Sequence, residues 1–342
     1  MEVSAGAVLD GRYTVEAPLG EGGMASVWRV RHVQLGSEHA LKLLHVSTPE
    51  LRERLLDEGR IQARLTHPNI VPVTDLVSLS GGIGLVMPLV AGPTLRERLD
   101  QGRVPLEAAL ELGAAVLDGV AHAHASGLVH RDLKPENILL QPAGGRFVPR
   151  VADFGLAKAL HSQGPGRTRT RMGMGTPGYM APEQHRDASR VDARADVFSL
   201  GCILYELLTG RRPFDGSDVL ILYQQALRGE FTPPQSLAPE LPRALSELMS
   251  RSLRSRPEER MDNAGLFAQR WRAAAGMTPV PVPQPAVAPP LAEEHSKPAS
   301  AETLDLSAFS TDAPPRSDPA AAWQPAARRR ALHRSCGGPA TQ

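Results

Sequence analysis

The sequence predicts an α+β fold in two lobes: a five-stranded antiparallel sheet with one main helix, then a mainly helical lobe. Two changes of pattern along the chain carry this expectation. Residues 13–46 form short β-prone runs separated by turns. After Gly92 the apolar residues recur at helical spacing instead. A third change, near Met277, ends periodicity altogether.

Tyr13-Thr14-Val15 opens the first strand, and a glycine-rich turn leads to strands at 26–33 and 39–44. Pro49 then starts the helix, a position where its missing N–H would have had no partner anyway. Leu51, Leu55 and Leu65 mark that helix's apolar face, and strands at 71–77 and 83–87 complete the sheet. Beyond Gly92, Leu106, Leu110, Leu117 and Val120 predict a long helix, with further helices over 197–208, 219–227, 241–253 and 263–274. Pro279-Val280-Pro281-Val282-Pro283 and the Pro-, Ala- and Ser-rich sequence after it read as a disordered or extended tail. The basic run Arg328-Arg329-Arg330 in that tail reads as a solvated cluster, with an interaction patch as the sharper alternative.

A length of 342 residues suggests about two domains. The hydrophobic share of 42% suffices for a core, which aliphatic side chains must build because aromatics supply only 4%. With 38 basic and 37 acidic residues the formal charge is +1, so no global field argues for nucleic acid or an anionic membrane. Cys202 sits in an apolar helical run and Cys336 in the tail, which fits reduced thiols and a cytoplasmic setting. The N-terminus lacks the basic and apolar regions of a signal peptide. Ser199, Gly201 and Glu206 interrupt the longest apolar run, so no membrane span is expected.

Chemistry concentrates in four places. Gly20-Glu21-Gly22-Gly23-Met24-Ala25-Ser26-Val27 lies between two strands, where glycines let backbone N–H groups approach phosphate oxygens. Lys42 follows on the next strand. His130-Arg131-Asp132-Leu133-Lys134-Pro135-Glu136-Asn137 holds an acid, an ammonium and an amide, and Asp153-Phe154-Gly155 follows after a short hairpin. One acid to orient a hydroxyl, with an amide and a second acid for a hard cation, is the division of labour in phosphoryl transfer. The chain contains no GxxxxGK[ST] loop, which excludes a P-loop nucleotide hydrolase. His122, His124 and His130 fall at and beyond a helix end and do not read as a metal cluster.

These motifs resemble the eukaryotic-like protein kinase family. Lys134-Pro135-Glu136 and Gly175-Thr176-Pro177-Gly178-Tyr179-Met180-Ala181-Pro182-Glu183 are similar to its serine/threonine branch, in the bacterial (Hanks-type) style. The resemblance covers residues 13–272, with an N-lobe at 13–87, a hinge at 88–92 and a C-lobe at 93–272. Residues 1–12 would be an N-terminal extension and 273–342 the tail. It implies a bilobal kinase fold that uses ATP and Mg²⁺ (with Mn²⁺ as the alternative metal) to phosphorylate Ser and Thr of protein substrates. The competing readings are a nucleotide-binding scaffold without catalysis and a small-molecule kinase of related fold.

Role by role, the resemblance makes Asp132 the residue that orients or accepts the substrate hydroxyl proton. Lys134 neutralises the migrating phosphoryl group, and Asn137 and Asp153 hold magnesium. Lys42 takes the α and β phosphates and pairs with a helix glutamate, Glu58, with Asp57 and Glu53 as rivals. Leu19, Gly20, Gly22, Gly23, Val27, Ala40 and Leu139 enclose the nucleotide. Met87 stands as gatekeeper before Pro88 and Val90, whose backbone reads the adenine. Ala25 replaces the family's third glycine. Arg131 is where a phosphate on Thr168 or Thr170 docks, and Thr176 reaches Asp132 and Lys134. Glu183 pairs with Arg260, and Asp196 accepts catalytic-loop N–H groups. Autophosphorylation within a homodimer is a further expectation. Thr94 stands where basophilic members carry glutamate, against a strict upstream-arginine requirement.

Overall fold

Val15, Val30, Leu41, Val77 and Val86 bury one face of an antiparallel sheet, while Leu44, Ile83 and Leu85 bury the other against Leu51 and Leu55 of a helix. The computed structural model describes residues 3–22, 25–46, 48–79, 82–154, 177–186, 191–216 and 218–278. Gly23, Thr168, Thr170, Thr176, Gly155 and the tail after residue 278 therefore lie outside the described residues.

The sheet has six strands, ordered β1-β2-β3-β4-β6-β5. They are β1 (Val8–Leu9), β2 (Tyr13–Gly22), β3 (Ala25–His32), β4 (Glu38–His45), β5 (Asp75–Leu79) and β6 (Gly82–Pro88). Five strands were expected. The sixth, β1, forms within the stretch read as an extension, because Leu9 buries itself against Tyr13 and Val15 while Val8 stays exposed. The strand expected over 71–77 starts later, at Asp75. Pro72 interrupts that stretch, and Val71 instead donates its N–H to Val151 at 2.9 Å.

Helix α1 (Pro49–Ala63) begins as predicted at Pro49, and the Thr48 hydroxyl caps Leu51 N at 3.2 Å. The C-terminal lobe comprises α2 (Leu95–Asp100), α3 (Leu106–Ala125), the ribbon β7 (Ile138–Ala143) with β8 (Arg146–Val151), α4 (Pro182–Arg186), α5 (Ala193–Thr209), α6 (Val219–Arg228), α7 (Pro234–Leu237), α8 (Arg243–Ser252) and α9 (Ala264–Ala274). All five long helices predicted there form within a few residues of their expected ends. Their apolar stripes meet in one core, in which α5 is buried on nearly every side.

Backbone contacts join the lobes. Val71 and Asn69 bracket Val151 through two 2.9 Å hydrogen bonds, and the Asn69 side chain donates to Pro149 O. Gly119 of α3 lies directly beneath Asn69, where a Cβ would meet the Asn69 carbonyl at 2.7 Å. Gly92 has no room for a Cβ at all, because the Leu140 carbonyl occupies that space. A methyl there would push the hinge off β7.

Candidate active site

Strand register gathers Val27, Ala40, Lys42 and Met87, four residues expected at the nucleotide, on one face. Val27 lies directly opposite Lys42, and Ala40 opposite Met87. Opposed residues of an antiparallel pair share a face, and Ala40 and Lys42 are two apart, so all four project to the same side. Leu139 projects away from the C-lobe core that holds its neighbours Ile138 and Leu140, and is half-buried. Leu19, Gly20 and Gly22 lie on β2 towards the phosphate turn, with Leu19 exposed. Pro88 ends β6, and Val90 follows outside regular structure.

Lys42 Nζ makes an ion pair with Asp153 Oδ2 at 2.8 Å. Burial by itself would raise the Asp153 carboxyl's pKa, but the adjacent Lys42 ammonium outweighs it and holds the group below its ordinary value. Glu58 is buried on α1 beside Leu55, Gly59 and Gln62. One turn on, Gln62 donates to the carbonyl of Phe154. The two rivals face water: Glu53 and Asp57 are exposed, and Asp57 pairs with Arg60 at 2.9 Å. Among the described residues the ion pair of Lys42 is with Asp153, and Glu58 lies on the helix face turned to the sheet.

The catalytic loop is built on Asp196, at the start of α5. It accepts from His130 N at 2.7 Å and Arg131 N at 2.8 Å, and from His124 Nε2 at 2.9 Å. Burial works against this carboxylate, and the hydrogen bond from His124 leads the effects that nevertheless hold its pKa low. These bonds fix Arg131 at φ 69°, in the left-handed region that side chains rarely adopt. Asp153 is similarly strained at φ 67°. Such strain costs roughly 1–3 kcal/mol per residue and persists where surrounding contacts over-determine it.

Within the loop, Lys134 Nζ lies 3.0 Å from Asp132 Oδ2. Asn137 Nδ2 donates to Asp132 O at 2.8 Å, which leaves the Asn137 side-chain oxygen turned away as an acceptor. Ala152 N donates to Asn137 O at 2.9 Å, so Asn137 and Asp153 stand side by side across the ribbon's ends. The Arg131 guanidinium reaches Val191 O at 3.2 Å.

Glu183 and Arg260 form the expected pair, at 2.6 and 2.9 Å. Arg260 is fully buried and spends all five N–H donors, the other three on the carbonyls of Arg254, Arg194 and Ser255. Sequence reading missed four further groups: Gln62, His124, Gln184 and Glu206. Gln184 ties Arg131 O to Ala181 N across residues 177–184, part of the segment that by resemblance is the family's substrate-docking floor. Glu206 accepts from Tyr179 of that floor and from Arg96 at 2.9 Å, with Arg212 at 3.7 Å. An isolated glutamate in an apolar helical run was the one available sign of a buried, paired charge.

A protein kinase domain profile matches residues 13–272. The chain is 40% identical over 280 residues to the DNA damage-responsive serine/threonine-protein kinase RqkA of Deinococcus radiodurans, covering 80% of this chain and 41% of that protein. It is 40% identical over 264 residues to the serine/threonine-protein kinase PkaA of Streptomyces coelicolor, covering 73% and 47%. The chain thus spans less than half the length of these two curated relatives. Among solved structures, the Mycobacterium tuberculosis PknI kinase domain superposes with a TM-score of 0.61 at 27% identity, over 81% of this chain and all of that one. Profile, relatives and fold agree with the geometry of the cleft, and the chain belongs to the protein kinase domain family.

Proposed function

We propose that this chain is a protein serine/threonine kinase that transfers the γ-phosphoryl group of ATP to hydroxyls of protein substrates. The observation that carries this reading is the ion pair of Lys42 with Asp153 next to the Asn137–Asp132–Lys134 set, the two joined by the backbone hydrogen bond from Ala152 N to Asn137 O. Asp132 would orient the attacking hydroxyl and take its proton as the new O–P bond forms. Lys134, already beside that carboxylate, would neutralise charge on the transferring group. Lys42 would hold the non-transferred phosphates, released in part from Asp153.

The donor set suits a hard cation. The free side-chain oxygen of Asn137 and the Asp153 carboxylate are oxygen ligands on adjacent backbone. Among the described residues no cluster of three or more His, Cys, Asp or Glu makes an all-protein cage, which fits a metal that completes its shell with phosphate oxygens and water. Magnesium, or manganese, would supply neutralisation of the phosphate charge there.

Serine and threonine selectivity follows from the relatives and from Lys134-Pro135-Glu136. Activation by phosphorylation of Thr168 or Thr170 against Arg131, within a transient homodimer in the cytoplasm, belongs to the same proposal. No helix among the described residues is long and apolar enough to cross a membrane. The test is transfer of ³²P from ATP to a generic protein substrate. Wild type labels serine and threonine, whereas Asp132→Asn labels nothing at unchanged nucleotide affinity. Equal labelling by the two proteins would refute the assignment. Nucleotide binding without labelling by a wild type phosphorylated on its loop would make the chain a scaffold.

A further inference from the structure

His67 and His122 stack their rings across the lobe boundary, with centroids 5.1 Å apart and planes 27° from parallel. His67 belongs to the link between α1 and β5, and His122 to the last turn of α3. Both are partly buried, and neither has a part in the candidate active site.

His67 is fastened to the turn that carries Asn69. Its Nδ1 accepts from Asn69 N at 3.1 Å, and its carbonyl accepts from Ile70 N at 3.1 Å. Asn69 in turn accepts from Val151 N at 2.9 Å and donates through its side chain to Pro149 O at 2.9 Å, both on β8. Nδ1 can accept only without a proton, so the His67 ring is neutral and carries its hydrogen on Nε2. A second proton would have to sit on Nδ1. It would set two N–H donors face to face, and the bond to Asn69 would be lost.

The surroundings do little to welcome that proton. A charge on His122 as well would put two cations in one stack. Asp118 of α3 acts the other way, but Arg272 of α9 already holds it. Arg64 at the end of α1 and Arg150 of β8 are cations and add nothing in the proton's favour. Burial first, and then His122, hold the His67 pKa below its ordinary 6.5. A ring kept neutral in this way contributes its full stability above the ordinary value, and the contribution is lost as pH falls from there through the lowered one.

We infer that His67 and His122 form a proton-sensitive latch on the junction between the lobes. With His67 neutral, Asn69 is pinned to β8. On mild acidification the turn at 67–70 releases, and the junction opens more readily. The latch is a property of the fold and holds whether or not the kinase reading does.

The test is hydrogen–deuterium exchange of the full chain at about pH 7.5 and about pH 5.5, corrected for the pH dependence of intrinsic exchange. In wild type, protection of peptides spanning 67–71 and 148–152 should fall about fivefold in acid, while peptides of α5 keep theirs. His67→Asn offers Asn69 N the same bond from a side-chain oxygen that does not titrate, so its loss should stay below about twofold. Equal losses in the two proteins, no loss in wild type, or a loss shared by α5 would each overturn the latch. Nitrogen-15 NMR of the wild-type ring is a second check that needs no variant. His67 should show an unprotonated Nδ1 at neutral pH and a titration midpoint below 6.5. A protonated Nδ1 there, or a midpoint at or above 6.5, would overturn it as well.

Discussion

His124 and His130 each use both ring nitrogens, and their tautomers can be read from their partners. His124 Nδ1 accepts from Ala264 N at 3.1 Å, so its proton sits on Nε2 and is donated to Asp196. His130 Nδ1 accepts from Asp132 N at 3.3 Å, which leaves Nε2–H for the Ala152 carbonyl at 2.8 Å. The His124 ring thus ties α3 to α5 and α9, and the His130 ring ties residues 130–132 to the residue before Asp153. Glu58 is buried where its rivals Glu53 and Asp57 are exposed, and kinetics of single variants can choose between them. Glu58→Gln should lower kcat/KM for ATP by about tenfold, a loss of about 1.4 kcal/mol, whereas exposed Asp57→Asn should change it less than twofold. Steady-state kinetics of the two variants check this, and equal effects would return the assignment to Asp57. At this scale the residues proposed to meet substrate and phosphate were legible, because motif spacing singles them out. Gln62, Gln184 and His124 were not, since each bonds a group far away in sequence.

Helix α2 shows why short elements escaped. Its six residues hold too little periodicity to register, although Thr94 and Glu97 form a capping box that marks its start. From it Arg96 reaches the Glu206 carboxylate that fixes Tyr179, so α2, α5 and the substrate floor share one buried charge. Arg96→Gln should raise the protein-substrate KM severalfold while the KM for ATP stays unchanged, as measured by initial rates. A matched rise in both constants would reduce Arg96 to a general structural role. The Glu183–Arg260 pair anchors α4 to the loop before α9. Arg260→Ala leaves Glu183 without its partner and should cost about 3–5 kcal/mol in denaturant unfolding. A loss below about 1 kcal/mol would show that the fork is not needed. The strand β1 escaped for a related reason: two residues carry no alternation, and only their pairing with β2 and the burial of Leu9 define it.

For the whole molecule, the two buried carboxyls among those held low, Asp153 and Asp196, set the acid limit. Asp153 and Asp196 both have pKa values below the ordinary 3.8 in the fold. A group depressed in this way contributes its full stability above the ordinary value, and the contribution disappears as pH falls through the lowered one. Melting temperature from this source should therefore hold steady down to about pH 4 and fall below it. Asp196→Asn should be less stable than wild type at pH 7, and the gap should narrow towards pH 3. A gap independent of pH would contradict the charged role given to Asp196. The two-lobed architecture was legible because strand and helix periodicities occupy separate stretches of the chain. How the lobes meet was not, because Asn69, Val71 and Val151 join through backbone groups that carry no side-chain signature.

In the proposed mechanism Asp153 and Asn137 hold a divalent ion against the phosphates gripped by Lys42. Calorimetric titration of a non-hydrolysable ATP analogue, with and without magnesium, tests it most directly. Magnesium should tighten binding to wild type by at least about tenfold and leave Asp153→Asn unaffected. Binding to wild type that ignores magnesium, or an Asp153→Asn variant that still responds to it fully, would contradict the account.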